Sequence, residues 1–239
     1  MDETFNVIQL PSKGLLYQES NEISIRELKG KDEKLMAELN YENFDRKFVA
    51  ILRNVLKGVD PIQLTVGDRL YVMLWLMINS ISKTVSLKTG CEFCFNELNL
   101  EVDLSQLEVA ELPDDYKEPY NITLNNGEDL QLRLFRINDE IKIADYEKSG
   151  NNSYLFRFAT SIVDESKGIH DKIAYLENLQ SKDIMKIRAF HEKFYHGPKM
   201  KTKYTCKHCG SDGVAACPFR LEYFFPYGEV LTGLIGDDI

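Results

Sequence analysis

Two short stretches of this sequence, Cys91-Glu-Phe-Cys94 and Cys206-Lys-His-Cys209, decide how the chain is expected to fold. In each stretch two residues separate the thiols, a spacing that lets a tight turn point both sulfurs at one metal ion. Two such turns supply four ligands, which is the number that closes a tetrahedral zinc site. The sequence therefore predicts one structural zinc ion with four thiolate ligands: Cys91, Cys94, Cys206 and Cys209.

The interval between the two pairs is much longer than in a usual zinc ribbon. A hairpin tip can still meet a distant pair if the residues between them fold as an insertion whose ends lie close together. One alternative is a redox dithiol, but a thioredoxin-like motif opens a helix, whereas strand patterns follow both pairs here. Disulfides are a second alternative, and a reducing compartment disfavours them.

Cys217 and His208 lie near the two pairs. Cys217 lies between Ala216 and Pro218 beside an apolar strand, so we expect it to be a small buried apolar residue. His208 lies inside the second turn and is expected to be exposed, because four cysteines already satisfy the metal. The other three histidines share no spacing, and no catalytic role is expected for them.

Strand patterns flank both thiol pairs. Val85–Leu87 and the alternating residues Leu98–Leu104 predict a hairpin whose tip carries the first pair. Lys201–Thr205 and Val214–Phe225 predict strands on either side of the second pair. The two halves of the ribbon are therefore expected to be built alike.

The rest of the chain alternates between short strands and amphipathic helices. Two strands are predicted near the N-terminus, at Phe5–Leu10 and Ile23–Arg26. Apolar residues at helical spacing predict helices at residues 31–39, 44–58, 70–81, 154–163, 171–179 and 183–195.

Three signals predict how these elements begin and turn. Thr65-Val-Gly-Asp68 has the pattern of a capping box at a helix start. Asn126-Gly127 accepts the positive φ angles of a tight turn and predicts a hairpin between residues 121–124 and 130–134. Asn138 is predicted to cap the helix that follows this hairpin.

Together these elements predict an α+β fold, in which short antiparallel strands and a discontinuous four-cysteine zinc ribbon join two helical sections. Residues 1–239 are expected to form a single compact unit. Within it we distinguish N-terminal strands and helices (1–82), the ribbon (83–104 with 200–225) and a hairpin with a helical insertion (105–199).

Composition limits the classes of function. The chain has 239 residues, of which 44% are hydrophobic, so it can bury a real core. Its formal charge of −9 repels phosphate backbones and argues against a general nucleic-acid binder. The first residues lack the pattern of a secretory signal, and the longest apolar stretch, Leu70–Ile81, is too short to cross a bilayer. No membrane association is therefore expected.

No enzyme signature is present. The sequence contains no phosphate-binding loop, dinucleotide-binding glycine motif, H-E-x-x-H or G-x-S-x-G pattern, and no catalytic residue is assigned. The run Lys199–Lys203 beside the second pair is the best case for nucleic-acid binding, although it also fits a solvated strand edge. The apolar groups of Tyr223–Tyr227 and Val230–Ile235 either pack on the chain's own core or contact another protein.

Several short pieces, taken in order, resemble one protein family. They are Leu10-Pro-Ser-Lys-Gly-Leu-Leu-Tyr17, Ile23-Ser-Ile-Arg26, Asp32-Glu33-Lys-Leu35, the first thiol pair after a long helix, and Leu132-Arg-Leu134 before Asn138-Asp-Glu140. In this order the chain resembles the baseplate hub and hub assembly proteins of T-even-type contractile-tailed bacteriophages. The resemblance covers most of the chain.

The resemblance implies a non-enzymatic protein that helps to assemble the baseplate hub through contacts with other hub or tail proteins. It implies synthesis in the host cytoplasm, and it leaves open a permanent place in the virion or a transient role as a chaperone. Only the thiols are carried over as ligands, and the Leu10–Tyr17 loop and the aromatic tail are candidate contact surfaces. A zinc-ribbon factor that binds nucleic acid or regulates phage transcription is the second reading.

Overall fold

A computed structural model of the protein describes residues 4–17, 22–39 and 44–220. The first part contains, in order, β1 (Asn6–Val7), β2 (Ser24–Ile25), α1 (Gly30–Met36), α2 (Phe44–Val55), β3 (Leu56–Lys57), a 3₁₀ turn (Pro61–Gln63), α3 (Val66–Ser80), β4 (Thr84–Gly90) and β5 (Glu97–Asp103). The second part contains a 3₁₀ turn (Leu104–Gln106), β6 (Val109–Ala110), β7 (Tyr120–Thr123), β8 (Asp129–Leu132), α4 (Ile137–Lys148), α5 (Tyr154–Ser161), α6 (Ile169–Glu177), α7 (Ser181–Lys193), β9 (Gly197–Pro198), β10 (Lys201–Thr205) and β11 (Asp212–Ala216).

The fold mixes helices with short antiparallel strands, as the sequence predicts. One small sheet has the order β1-β2-β3, and the other described strands form the pairs β4-β5, β6-β9, β7-β8 and β10-β11. All of these pairings are antiparallel. The predicted strand from Val214 extends in the structure only to Ala216, and the aromatic tail from Tyr223 lies outside the described residues.

Buried apolar side chains form two clusters. The first contains α2 and α3 and also includes side chains from both thiol-bearing hairpins, β4-β5 and β10-β11. The second lies between the β7-β8 hairpin and helices α5 and α7, where residues such as Leu132, Phe158 and Ile187 are buried. Burial of side chains of this size stabilises the fold by about 1.5–3 kcal/mol each.

The predicted hairpin at Asn126-Gly127 is confirmed, but its turn differs from the expected two-residue type. Gly127 has a φ of +85°, while Asn126 is not among the described non-glycine residues with positive φ. The Gly127 amide donates to the Leu124 carbonyl at 3.0 Å, and the Leu124 amide donates to the Glu128 carbonyl at 2.8 Å. This is the three-residue connection in which only the last residue must be left-handed.

At the predicted helix starts Thr65 and Asn138, the groups that accept the free helix amides differ from those that the sequence predicts. Thr65 caps α3 as predicted, since its hydroxyl accepts the Asp68 amide at 3.1 Å. However, the Thr65 amide donates to the Tyr17 hydroxyl at 3.1 Å, so the reciprocal half of the capping box comes from a distant residue. The predicted cap at Asn138 is wrong, because α4 already begins at Ile137 and the Asp139 carboxylate accepts the Arg136 amide at 2.9 Å.

The Leu10–Tyr17 loop, a candidate contact surface in the sequence, packs partly into the molecule. Leu10, Pro11 and Ser12 are buried, and the Ser12 amide donates to the Asp68 carboxylate at 2.9 Å. The Tyr17 hydroxyl donates to the other oxygen of that carboxylate. Within this loop, Leu15 is the large apolar side chain that stays exposed.

A buried hydrogen-bond chain connects the start of α3 to the end of α7. The Thr65 hydroxyl lies 2.6 Å from His196 Nε2, and His196 Nδ1 lies 3.0 Å from the Phe194 carbonyl. Close backbone contact at Gly67 accompanies this link, because a Cβ there would lie 1.8 Å from the His196 carbonyl oxygen. This chain of hydrogen bonds therefore joins the two apolar clusters. Gly67 lies at the junction, where no larger residue would fit.

His191 on α7 makes stability depend on pH. Its ring stacks on Phe135 with centroids 3.9 Å apart, and burial, with the nearby charges of Arg133 and Arg157, lowers the pKa of His191 to about 3. The Asp139 carboxylate raises the pKa of His191, but its effect is smaller than that of burial and of the two arginines. The unfolded imidazole binds a proton below about pH 6.5 while the folded one does not, so stability falls as pH decreases below that value.

We therefore expect His191→Gln to reduce the pH dependence of unfolding. Between pH 7 and pH 5 the wild-type protein should lose about 2 kcal/mol more stability than the variant, because only the wild-type unfolded state gains this proton. Urea unfolding at the two pH values measures the difference. Equal losses in the two proteins would contradict this account of His191.

Candidate metal centre

The first thiol pair lies at the tip of the β4-β5 hairpin. The paired strands end at Gly90 and Glu97, and the turn between them is closed by two backbone hydrogen bonds. The Cys91 amide donates to the Asn96 carbonyl at 2.9 Å, and the Phe95 amide donates to the Cys91 carbonyl at 2.9 Å. This tight turn places the Cys91 and Cys94 side chains on the same side of the tip.

The second pair lies in a turn of the same construction at the tip of β10-β11. The strands end at the pair Thr205 and Asp212. The Cys206 amide donates to the Ser211 carbonyl at 2.8 Å, and the Gly210 amide donates to the Cys206 carbonyl at 2.8 Å. A side-chain bond of 2.6 Å from Thr205 Oγ1 to Asp212 further closes the end of the hairpin.

The structure brings the four sulfur atoms together. Cys91 Sγ lies 3.8 Å from Cys209 Sγ, and Cys94 Sγ lies 3.7 Å from Cys206 Sγ. All four sulfurs lie within 4.8 Å of one another. A tetrahedron with metal–sulfur bonds of about 2.3 Å has edges of about 3.8 Å, whereas a disulfide needs about 2.0 Å. The arrangement can therefore hold a metal ion.

Backbone amides surround the sulfurs with positive dipoles. The Phe93 amide donates to Cys91 Sγ at 3.5 Å, and the His208 amide donates to Cys206 Sγ at 3.4 Å. Asn96 Nδ2 adds a donor 3.4 Å from Cys94 Sγ. Donors of this kind stabilise the negative charge that thiolate ligands carry.

The thiols differ in their surroundings. Cys91 and Cys206 are buried, Cys94 is half-buried and Cys209 is exposed. The hydrogen bond from the Cys94 amide, with a second from Phe93, lowers the pKa of Cys91 to about 6, whereas burial raises the pKa of Cys206 to about 11. Cys91 is therefore the more readily ionised of the two thiols, and binding of a metal ion is coupled to release of the Cys206 proton.

The chemistry of the donor set fits a structural ion. Four thiolates fill a tetrahedral zinc site and leave no position for a reactive water molecule. His208 is exposed and Cys217 is buried, both as predicted. Neither belongs to the group of side chains that can hold a metal ion among the described residues.

Sequence reasoning did not identify Tyr204, which joins the two hairpins. Its hydroxyl accepts the Glu92 amide of the first turn at 3.3 Å. Across β10-β11 it faces Gly213, where a Cβ would lie 2.6 Å from the tyrosine ring. An aromatic residue that faces a glycine across a hairpin is the signal that could have found this contact.

The Lys199–Lys203 run lies beside this centre. Lys199 forms an ion pair with Glu108 at 2.5 Å, and Lys201 and Lys203 are exposed on β10. The run therefore follows a solvated strand edge, as one of its two sequence interpretations expects.

The two turns share one left-handed backbone position but have different residues there. The residue after the second cysteine of each pair is left-handed, with φ of +60° at Phe95 and +73° at Gly210. A left-handed conformation costs a residue with a Cβ about 1–2 kcal/mol, and glycine avoids that cost. Phe95 is also 86% exposed, so burial does not compensate for it.

We expect Phe95→Gly to stabilise the protein by about 1 kcal/mol, since it removes the left-handed strain and loses little packing. The matched change Gly210→Ala should destabilise it by a similar amount, because no atom lies within 4 Å of the added Cβ and only the backbone strain is introduced. Thermal unfolding of the metal-loaded protein measures both. A stabilising Gly210→Ala would contradict the shared turn geometry.

One comparison with known proteins found a match. A family model described as T4 bacteriophage base plate protein matches residues 3–226. The search of curated proteins and the search of solved structures each found no match. In the described part of the chain, no helix combines the length and the apolar character that crossing a membrane requires.

Proposed function

This chain belongs to the T4 bacteriophage base plate protein family, and on that basis we propose that it acts without catalysis in assembling the baseplate hub. Membership itself supports a structural role in the phage tail, in contact with other tail or baseplate proteins. The assignment to the hub is our finer proposal. It is supported by the resemblance of residues 10–35 and 132–140 to hub assembly proteins, and it places assembly in the host cytoplasm.

We further propose that Cys91, Cys94, Cys206 and Cys209 bind one structural zinc ion. The observation that supports this most strongly is the pair of sulfur–sulfur distances of 3.8 and 3.7 Å, which fit tetrahedral thiolate coordination. Binding of such an ion contributes on the order of 10 kcal/mol in small zinc domains, which is comparable with the whole stability of a typical domain. The ion would hold residues 83–104 and 200–220 together and keep the chain a single unit.

The tip of the first turn offers a contact for a protein partner. Phe93 and Phe95 are 56% and 86% exposed, and exposed aromatic side chains are enriched where proteins bind one another. The tail Tyr223–Ile235 remains a second proposed contact outside the described residues. These surfaces fit a protein whose task is recognition during assembly.

A nucleic-acid factor is the second candidate. The exposed Lys201, Lys203 and Lys207 lie on or near the second hairpin, and a basic rim on a zinc ribbon is a feature of nucleic-acid binders. The overall charge of −9 opposes this reading. Salt-sensitive binding of DNA or RNA by the purified protein would favour it over the baseplate role.

The zinc proposal predicts different effects for two cysteines. Metal analysis should find about one zinc per wild-type chain, and Cys206→Ser should abolish this binding and lower the melting temperature, because a three-thiolate site is open. The matched variant Cys217→Ser should keep its zinc, although burial of a hydroxyl there will cost some stability. Retention of one tightly bound zinc by Cys206→Ser would contradict the proposed ligand set.

The assembly proposal is tested in infected cells with an affinity-tagged chain. We expect hub proteins to co-purify with the wild-type chain, and deletion of its gene to stop baseplate assembly. The double variant Phe93→Ser, Phe95→Gly should bind zinc and remain folded, yet recover less of the hub proteins. A deletion that leaves normal tails would overturn the proposed role, and unchanged recovery by the double variant would exclude the tip as the contact.

A further inference from the structure

Residues 5–103 and 120–216 share a common order of elements. Each begins with two antiparallel strands, continues through two helices and a segment that pairs back with the second strand, and after a last helix ends with a thiol-bearing hairpin. The second range also contains α6 and β9, which have no counterpart of the same type in the first. We infer that the chain is a fused dimer of one repeated unit, and that the four-cysteine centre is the site that the two copies share. This inference does not depend on the baseplate role.

The first shared feature is an arginine at the end of the second strand. Arg26 binds both oxygens of Asp32 at 2.6 and 3.1 Å, and Arg133 binds both oxygens of Asp139 at 2.6 and 2.9 Å. Each guanidinium also donates to the carbonyl of the residue that follows the arginine. Two independent segments would have no reason to repeat this bidentate geometry together with its extra bond.

The same aspartates begin the next helix in each copy. Asp32 accepts the Lys29 amide at 3.0 Å at the start of α1, and Asp139 accepts the Arg136 amide at 2.9 Å at the start of α4. One carboxylate in each copy therefore satisfies a free helix amide and an arginine simultaneously.

The segment that follows the second helix pairs in the same way, as strand β3 in the first range and as an isolated bridge at Ile162 in the second. The Arg26 amide donates to the Val55 carbonyl at 3.0 Å, and the Arg133 amide donates to the Ser161 carbonyl at 2.9 Å. The following residues pair antiparallel with the strand before each arginine, Leu56 with Ile25 and Ile162 with Leu132. The two units therefore agree in the register of strand pairing as well as in the order of their elements.

A buried aspartate near the start of the final helix binds the first hairpin in each copy. Asp68 on α3 accepts the Ser12 amide at 2.9 Å, and Asp183 on α7 accepts the Asn125 amide at 2.8 Å. Both aspartates are buried. Each accepts a hydrogen bond from the segment that connects the first two strands of its unit. This contact joins the first element of each unit to its last helix.

Spacing along the chain supports one alignment of the copies. The step from Arg26 to Arg133 and from Asp32 to Asp139 is 107 residues, and the step from Asp68 to Asp183 and from Cys91 to Cys206 is 115. The second copy is therefore longer by 8 residues, the difference between 115 and 107, between the Asp139 and Asp183 positions. In this interval the first copy has the 3₁₀ turn Pro61–Gln63, and the second has the longer helix α6.

The thiols obey a local twofold relation. Exchanging the copies turns the pair Cys91 and Cys209 into Cys206 and Cys94, and these two sulfur–sulfur distances are 3.8 and 3.7 Å. The two distances agree with an isologous contact, in which each copy presents the same residues to the other, as well as with tetrahedral coordination. One unit carries only two of these thiols, so the four-thiolate site is incomplete without the second copy.

The relation is local because both thiol-bearing hairpins pack in the first apolar cluster. The second copy therefore extends its last hairpin across to the first copy. An arm that leaves its own unit to complete a site on the other is typical of joined subunits.

Hydrogen exchange with matched variants tests the repeated aspartate contact without reference to metal. Asp68→Ala should speed exchange of the Ser12 amide about tenfold and leave Asn125 unchanged, and Asp183→Ala should do the reverse. The conservative changes Asp68→Asn and Asp183→Asn, which retain an acceptor, serve if either alanine variant unfolds and should give smaller shifts at the same amides. Continued protection of Asn125 in both Asp183 variants would overturn the equivalence.

Exchange of the turns tests the shared site. A chain carrying Glu92→Lys, Phe93→His, Phe95→Gly and Asn96→Ser has the second turn's residues in both positions. We expect it to bind one Co²⁺ with the thiolate absorption of the wild-type protein, because equivalent turns are interchangeable. Loss of this absorption in the folded variant, with binding intact in the wild type, would overturn the fused dimer. Lack of binding by the wild type would instead refute the zinc proposal and, with it, the shared site.

Discussion

The meeting of four sulfur atoms within 4.8 Å of one another is the constraint on which the thiol-bearing hairpins depend. The two pairs come from hairpins that are remote along the chain, yet their turns face each other with tetrahedral spacing. Backbone hydrogen bonds close each turn around its two thiols. In our proposal an ion at this centre joins the two hairpins, so its binding free energy also stabilises the fold.

Polar contacts inside the molecule determine where the remaining elements lie. Arg26 with Asp32 and Arg133 with Asp139 are each bidentate, and each carboxylate also starts a helix. Removing one partner from the buried pair of Arg26 and Asp32 would leave an uncompensated charge, which costs far more than an exposed ion pair contributes. These groups therefore specify the arrangement of strand and helix as much as they stabilise it.

The chain belongs to a baseplate family, and the features described above can be related to a role in the baseplate. A protein that takes part in assembly needs a rigid frame and surfaces that neighbouring proteins can recognise. The thiol centre and the internal aspartate contacts supply the frame in our interpretation, while Phe93 and Phe95 keep an apolar surface exposed at its tip. The left-handed backbone at Phe95, where the second turn has Gly210, costs the fold about 1–2 kcal/mol.

The sequence by itself determined the features that depend on neighbouring residues. The two-residue spacing of the thiols, the alternation around them, the helical periodicities and the Thr65 cap all follow from local geometry, and the structure has them. The tertiary structure decided which distant groups meet and how the helix starts are satisfied. The sulfurs of the two predicted thiol pairs lie together, Tyr17 replaces the capping-box partner of Thr65, and the Asp139 carboxylate rather than Asn138 accepts the Arg136 amide at the start of α4. The repeat that we infer also rests on the structure, because only Arg, Asp and Glu are identical between residues 23–33 and 130–140. Hydrogen-bond geometry survives sequence change that removes recognisable identity, since many apolar side chains fill the same buried position.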